Sequence, residues 1–199
     1  ALMTCALPPT RRPDHAAHPM FPARWSPRAF SDQPVSAEQV LVLLEAARFA
    51  PSASNHQPWR FVWALRGDDG FAAIRDALVP FNATWAGKAA ALIVVATKST
   101  VTTKDGAEAP NHYAAFDAGA AWMSLALQAR TSGLMAHAMA GFDHAALARA
   151  VALPEGHALH AVVAVGHHGQ AADLPEALRA REVPSPRLPL SDLAVRGRF

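Results

Sequence analysis

Cysteine is almost absent: Cys5 is the only one among 199 residues. An internal disulfide and a cysteine-based zinc site are therefore excluded. Nothing asks for an oxidising compartment, and a cytoplasmic location is the expectation. Charge is also sparse. Charged residues make up 17% of the chain and the net charge is +2, so the pI near 9.1 reflects few acids rather than basic runs. Arg11-Arg12, Arg179 with Arg181, and Arg196 with Arg198 are scattered pairs. A basic stripe interleaved with aromatics is missing, so no nucleic-acid partner is expected. No apolar run approaches the length of a membrane span, so no membrane partner is expected either. The opening stretch Ala1 to Pro9 lacks a basic n-region and is not read as a signal peptide. His15 and His18 sit at helical spacing among prolines, and His167 and His168 have no acidic or cysteine neighbours at ligand spacing, so no metal site is expected. Paired carboxylates and a Ser-His-Asp order are absent too, so no side chain is singled out as catalytic.

What the chain does have is apolar mass, 51% of its residues, enough for one domain with a real core. Prolines crowd both ends. Pro8, Pro9, Pro13, Pro19 and Pro22 mark residues 1–23 as an extended N-terminal arm, and Pro175, Pro184, Pro186 and Pro189 mark an arm-like tail. Residues 24–199 are read as a single domain that includes this tail.

Ser36 to Ala50 reads as a helix. Ser36 and Gln39 form a capping box, Val40, Leu43, Leu44 and Ala47 give the apolar stripe, and Pro51 ends it. Phe61 to Leu65 reads as a strand and Asp69 to Leu78 as a short helix. Ala89 to Ala96 is a continuous apolar run, expected as a buried strand. Ser99 to Ala109 is polar and without periodicity, and is expected as a mobile loop. His112 to Arg130 is the longest expected helix, stopped by Gly133; its alanines make a narrow surface suited to a close helix or subunit contact. Leu134 to Ala140 is an extended piece, Asp143 caps a helix to Val151, and Ala158 to Val165 is another buried strand. The sum is an α+β architecture of about four strands and five helices, without internal repeats.

Two segments carry chemistry. Ala50 to Trp59 contains two prolines, two serines, an Asn and a Gln within ten residues, a stiff polar loop between apolar elements. Asn and Gln carboxamides place a donor beside an acceptor, which suits a ligand with alternating amide-like groups, such as the pyrimidine ring of a flavin. Arg24-Trp25-Ser26-Pro27-Arg28 brings two guanidinium forks and a hydroxyl together, the donor set for a phosphate monoester. A further arginine, Arg187, stands in the tail.

Together these stretches resemble the FMN-dependent nitroreductase family, in which an Arg-x-Ser-x-Arg/Lys motif and a Pro-Ser-x-x-Asn-x-Gln-Pro-Trp motif hold the flavin. The second motif reads here Pro51-Ser52-Ala53-Ser54-Asn55-His56-Gln57-Pro58-Trp59. The resemblance spans roughly Arg24 to Leu190 and implies a central mixed, mostly antiparallel sheet flanked by helices, with terminal arms. It implies a homodimer with FMN at the subunit interface and NAD(P)H as co-substrate. Hydride would pass by way of flavin N5 to a nitroaromatic, quinone or similar acceptor, in ping-pong fashion.

The cofactor-binding set implied is Arg24, Trp25, Ser26, Arg28, Pro51, Ser52, Ala53, Asn55, Gln57, Ala140, Gly141 and Arg187. Of these, the Pro51-Ser52 segment would reach the partner subunit's flavin. Many relatives carry Glu where Ala140 stands, and another basic residue where Ser185 stands. Tyr113 and Phe116 are implied pocket residues. Trp25 and Trp59 are expected to pack, His56 to be exposed, and Trp85 to fill the core. The loop from Ser99 to Ala109 carries no lid signature, which favours an open, promiscuous reductase. Other branches of the same resemblance are dehydrogenating, dehalogenating or flavin-fragmenting. A flavin-binding protein without turnover is the rival from another class.

Overall fold

In the computed structural model, which describes residues 8 and 11–198, the apolar run becomes strand β2 (Ala91–Lys98), whose first seven residues are all buried. Side chains alternate across a strand, and both faces of this one are covered. Leu92 and Val94 enter one apolar cluster; Ala91, Ile93 and Val95 enter another. That is why this strand shows no polar alternation, although its neighbours run antiparallel. β2 pairs with β1 (Trp59–Leu65) on one side and β6 (His157–Gly166) on the other, and β6 pairs with β5 (Met135–Met139). The order is β1-β2-β6-β5, antiparallel throughout, with a bulge between Val95 and Ala96.

Two helices cover the Ile93 face. Helix α2 (Ala37–Arg48) starts at the expected capping box: Ser36 Oγ accepts from Gln39 N at 3.1 Å, and Gln39 Oε1 accepts from Ser36 N at 2.8 Å. Helix α5 (Ala114–Thr131) lays Ala118, Ala121, Leu125 and Ala129 against α2 and the sheet. Its small side chains allow the close approach. Gly133, at φ +74°, supplies the left-handed residue that lets the chain turn into β5.

The Leu92 face is covered by α3 (Asp69–Asp76), α4 (Pro80–Ala86) and α6 (His144–Ala150), through Phe71, Ile74, Trp85 and Leu147. Asp143 caps α6 by accepting from Ala146 N at 2.8 Å. Trp85 is 1% exposed, as a core residue should be. Helix α4 has no counterpart in the sequence reading. Pro80 at its first position was the available signal.

The stretch expected as a mobile loop is instead a small two-stranded ribbon, β3 (Thr100–Thr102) with β4 (Glu108–Pro110). Its cross-strand support is polar: Thr102 Oγ1 donates to Glu108 at 2.8 Å, and Lys98 lies 3.5 Å from the same carboxylate. Hydrophobic periodicity does not register such a pair.

At the N-terminal end, one helical turn, α1 (Met20–Ala23), precedes the Arg24 motif. Arg12 to Pro19 are exposed, whereas Arg11 is 5% exposed. The tail holds a 3-10 turn at Ala171–Asp173, α7 (Glu176–Arg179) and a last 3-10 turn at Leu190–Asp192. Cys5 lies outside the described residues. Among the described residues no helix is long and apolar enough to cross a membrane, and no cluster of His, Cys, Asp or Glu could hold a metal ion.

Candidate functional site

The Arg24 to Phe30 segment is held against the sheet edge from several sides. The Pro27 carbonyl lies 2.9 Å from His137 Nδ1 on β5. A carbonyl only accepts, so Nδ1 carries the hydrogen. Burial lowers the His137 pKa, outweighing the Pro27 bond, and nearby Arg28 lowers it further. The ring is therefore neutral at pH 7 and acts as a brace. Phe30 forms a bridge to His168, and Gly169 N donates to the Ala29 carbonyl at 2.9 Å. A Cβ at Gly169 would come within 2.7 Å of the Phe30 backbone, so only glycine allows this approach.

Arg24 and Arg187 line one cavity of about 650 Å³, together with Arg11, Arg12 and His15 and an apolar wall that includes Phe21, Met123 and Leu188. Arg24 Nη1 donates to Ser26 Oγ at 3.3 Å, and Arg24 Nε is buried with no hydrogen-bond partner among the described residues. Arg187 is exposed and donates to the Ser185 and Pro186 carbonyls at 3.2 and 2.9 Å. Among the described residues, Arg11, Arg24 and Arg187 make no ion pair. Burial, and then the charge of Arg187, pull the Arg24 pKa below its usual value; Arg11 is lowered by burial and then by Arg187 and Arg24. Three like charges around one cavity, without a carboxylate on any of them, form a site that a dianion would neutralise.

Arg28 is not part of that cluster. Its side chain lines a second cavity of about 450 Å³ with Trp85, Lys88 and His168, and its guanidinium carbon is 5.9 Å from the Trp85 ring centroid. The charges that act on it are Arg181 and Glu182. The motif's two arginines therefore point to two different cavities. Arg28 Nε is also buried without a partner. Trp25 is half-buried, packs on the core and makes an edge-on contact with His168 at 5.4 Å between centroids.

The polar loop is wound unusually. Ser54, Asn55 and Gln57 have φ of 48°, 55° and 48°, all in the left-handed region without a glycine among them. Such residues cost on the order of 1 kcal/mol or more each and persist only when the surroundings impose them. Three contacts do so. Ser52 Oγ accepts from Gln57 N at 3.0 Å, Gln57 Nε2 donates to the Asn55 carbonyl at 3.0 Å, and Ala53 N donates to the Asp117 carboxylate at 3.2 Å. Pro51, Asn55, His56 and Gln57 remain exposed, whereas Trp59 is buried in the α2–α5 core.

Asp117 and Glu182 are polar residues the sequence reading missed. Asp117 is 3% exposed on α5. Its signal was an acid set within an apolar stripe, between Ala114 and Ala121. Asp117→Ala is expected to leave the Ala53 N–H unpaired and to weaken the loop locally by about 1–3 kcal/mol. Amide exchange at Ala53 checks this, and an unchanged rate removes Asp117 as the loop's anchor.

Gly141 lies in the turn after β5, and Ala140 beside it is exposed. The Gly141 carbonyl accepts from Val79 N and from Asn82 Nδ2, both at 3.0 Å. A Cβ there would meet Asn82 Nδ2 at 2.6 Å, so packing against α4 already requires the glycine. Tyr113 and Phe116 are 60% and 80% exposed and line neither cavity. Phe49, which follows α2, is 73% exposed as well.

Helix α5 links the loop and the arginine cavity, since Asp117 anchors the loop and Met123 lines the cavity six residues on, about 9 Å along the axis. Beyond this geometry, the Nitroreductase family profile matches residues 22–80 and 69–167, which include the Arg24 motif, the polar loop and Gly141. The chain belongs to the nitroreductase family.

Among solved structures, an oxidoreductase containing FMN superposes with a TM-score of 0.92 at 41% identity, covering 95% of this chain and 96% of that one. A Desulfovibrio desulfuricans family member in complex with FMN gives a TM-score of 0.72 at 27% identity, with 92% and 99% covered. A 15.4 kDa protein of Mycolicibacterium smegmatis is 38% identical over 149 residues, 70% of this chain and 97% of that protein. The match to the nitrobenzene nitroreductase of Ectopseudomonas oleovorans is local, 60% identity over 37 residues, 19% of this chain and 16% of that protein. The antiparallel sheet between helices is thus the nitroreductase fold, as expected from the motifs.

Proposed function

We propose that this nitroreductase-family chain binds FMN and works as an NAD(P)H-dependent oxidoreductase acting on nitroaromatic, quinone or similar acceptors. The observation that carries the reading is the Arg24–Arg187 cavity. It gathers buried Arg11, half-buried Arg24 and exposed Arg187, which make no ion pair among the described residues, in a chain 41% identical to an FMN-containing oxidoreductase. The donor chemistry fits a phosphate monoester. In this reading Arg24 and Arg187 hold the phosphate, with Ser26 keeping the Arg24 fork in place through its hydroxyl. Asn55 and Gln57 offer carboxamides to the polar edge of the ring, and the strained loop keeps them where rotation would otherwise scatter them.

FMN held there would supply two-electron redox chemistry between a reduced nicotinamide and an acceptor. The chain's task is to bind, orient and exclude competing geometry; this reading asks no side chain to act as a general acid or base. Donor and acceptor would then use the site in turn, in ping-pong order. The exposed aromatics Phe49, Tyr113 and Phe116 favour a homodimer, in which Pro51 and Ser52 would face the partner subunit. A soluble, cytoplasmic dimer is the form in which we expect it to act.

The test is direct. Purified protein should show flavin absorbance, with FMN as the released chromophore, near one per chain. Anaerobic NADH or NADPH should bleach it within about seconds, and a nitroaromatic should restore it. A colourless protein that fails to take up FMN would sink the reading. Flavin that binds but is never bleached would leave a carrier and remove the enzyme.

A further inference from the structure

We propose that the N-terminal arm is a working part of the anion site, and that Arg11 is the positioning residue that sets Arg24 and Arg187 around a phosphate monoester. The inference rests on the FMN reading above.

Arg11 is 5% exposed, although it follows a proline-rich stretch and precedes exposed residues. Its guanidinium is spent almost wholly on backbone carbonyls. Nε and Nη2 both donate to the Pro22 carbonyl, at 3.1 and 2.8 Å. Nη2 also donates to the carbonyl of Arg24 itself, at 2.6 Å. Nη1 donates to the carbonyl of Ser185, at 3.0 Å, across 174 positions of sequence. That same Ser185 oxygen accepts from Arg187 Nη1 at 3.2 Å. One planar fork therefore grips the backbone of the first phosphate candidate, and shares an acceptor with the side chain of the second. A second tie runs alongside it: Asp14 accepts from Leu190 N at 3.1 Å, which pins the arm to the tail beyond Arg187.

As a fold staple alone, this arrangement carries an electrostatic cost. Burying a cation beside two others costs free energy that no carboxylate on Arg11 offsets. Among the described residues lining the cavity Asp14 is the one acid, and it already engages the tail backbone. The arrangement becomes favourable when a dianion enters, because the three charges then act together. The geometry of the fork is also specific. A lysine brings the charge but cannot bond Pro22, Arg24 and Ser185 at once.

The experiment compares FMN with riboflavin, which lacks only the phosphate, on the full chain. FMN should bind wild-type protein far more tightly than riboflavin. Arg11→Gln should lower FMN affinity about 10- to 100-fold and leave riboflavin affinity within about twofold. Arg11→Lys, which keeps the charge and guards against a variant that does not fold, should recover only a minor part of the FMN affinity. Inorganic phosphate should compete with FMN in wild type and compete less well in both variants. If Arg11→Lys and Arg11→Gln lower FMN and riboflavin affinity alike, or leave both unchanged while the melting temperature falls, Arg11 is only a fold staple and the inference is wrong. If wild type binds FMN no better than riboflavin, the phosphate reading itself fails, and the inference goes with it.

Discussion

Replacing Arg24 and Arg187 together by alanine should lower FMN affinity by about two to four orders of magnitude. The figure follows from two charge-assisted contacts to a dianion, each worth about 1.5–3 kcal/mol. The loss should fall on the phosphate alone, so riboflavin affinity should stay within about twofold. The folded state should not suffer. Arg24 and Arg187 lie in a like-charged cluster without carboxylate partners, and relieving that repulsion should leave the flavin-free protein as stable as wild type or slightly more so. The single Arg28→Ala variant serves as the internal comparison. Its side chain lines the other cavity, over Trp85, so its effect on FMN should be clearly smaller than that of either cavity arginine. Fluorescence titration with FMN and riboflavin, beside thermal denaturation of the flavin-free proteins, checks all four statements. Equal loss of both flavins in the double variant would mean that these arginines shape the fold and do not contact the phosphate.

Glu182→Ala should be the most damaging single change outside the apolar core. The carboxylate is 2% exposed and accepts from Arg28 N at 2.8 Å and from Ala29 N at 2.9 Å, with His168 Nε2 at 3.4 Å. Truncation leaves two backbone donors unpaired at the start of the buried Ala29–Phe30 step, and removes the Glu182 bonds that join the tail to that segment. A loss of about 2–4 kcal/mol is expected, or a melting temperature lower by roughly 5–15 °C in a chain of this size.

The same carboxylate predicts a pH dependence. Burial raises the Glu182 pKa, but the bonds from His168, Ala29 N–H and Arg28 N–H outweigh it and hold it below the ordinary value. A depressed folded pKa means that the unfolded chain takes up the proton first. The stabilisation is therefore complete above the ordinary carboxylate value of about 4.3 and is lost as pH falls through the lower folded value. The gap in melting temperature between wild type and Glu182→Gln should be constant from about pH 6 to 8 and shrink steadily below about pH 4.5. A gap that does not narrow on acidification would show that the charge of Glu182 contributes nothing.

Local pattern carried much of this protein. The stripe Val40, Leu43, Ala47 and the Ser36–Gln39 box were enough for α2, because both are short-range devices that depend on spacing within one turn. The apolar run of β2 announced a strand buried on both faces, because nothing else suits such a run of small and branched side chains. The order of the Arg24 motif, the Pro51–Trp59 loop and the tail arginine pointed to the family. What the chain order could not reveal is which groups meet. Arg24 and Arg28 are four residues apart, yet the turn of the backbone between them sends one guanidinium to the Arg187 cavity and the other over Trp85. Arg11 read as one of several scattered pairs, and became a buried link only through carbonyls of Pro22, Arg24 and Ser185. Asp117 and Glu182 are single acids whose roles exist only because Ala53 and Arg28–Ala29 present N–H groups to them across long separations. Composition and periodicity describe what a residue prefers near its neighbours in sequence. Pairing between distant polar groups is set by how the sheet and helices close, and so the assembly of this site was decided by the tertiary structure alone.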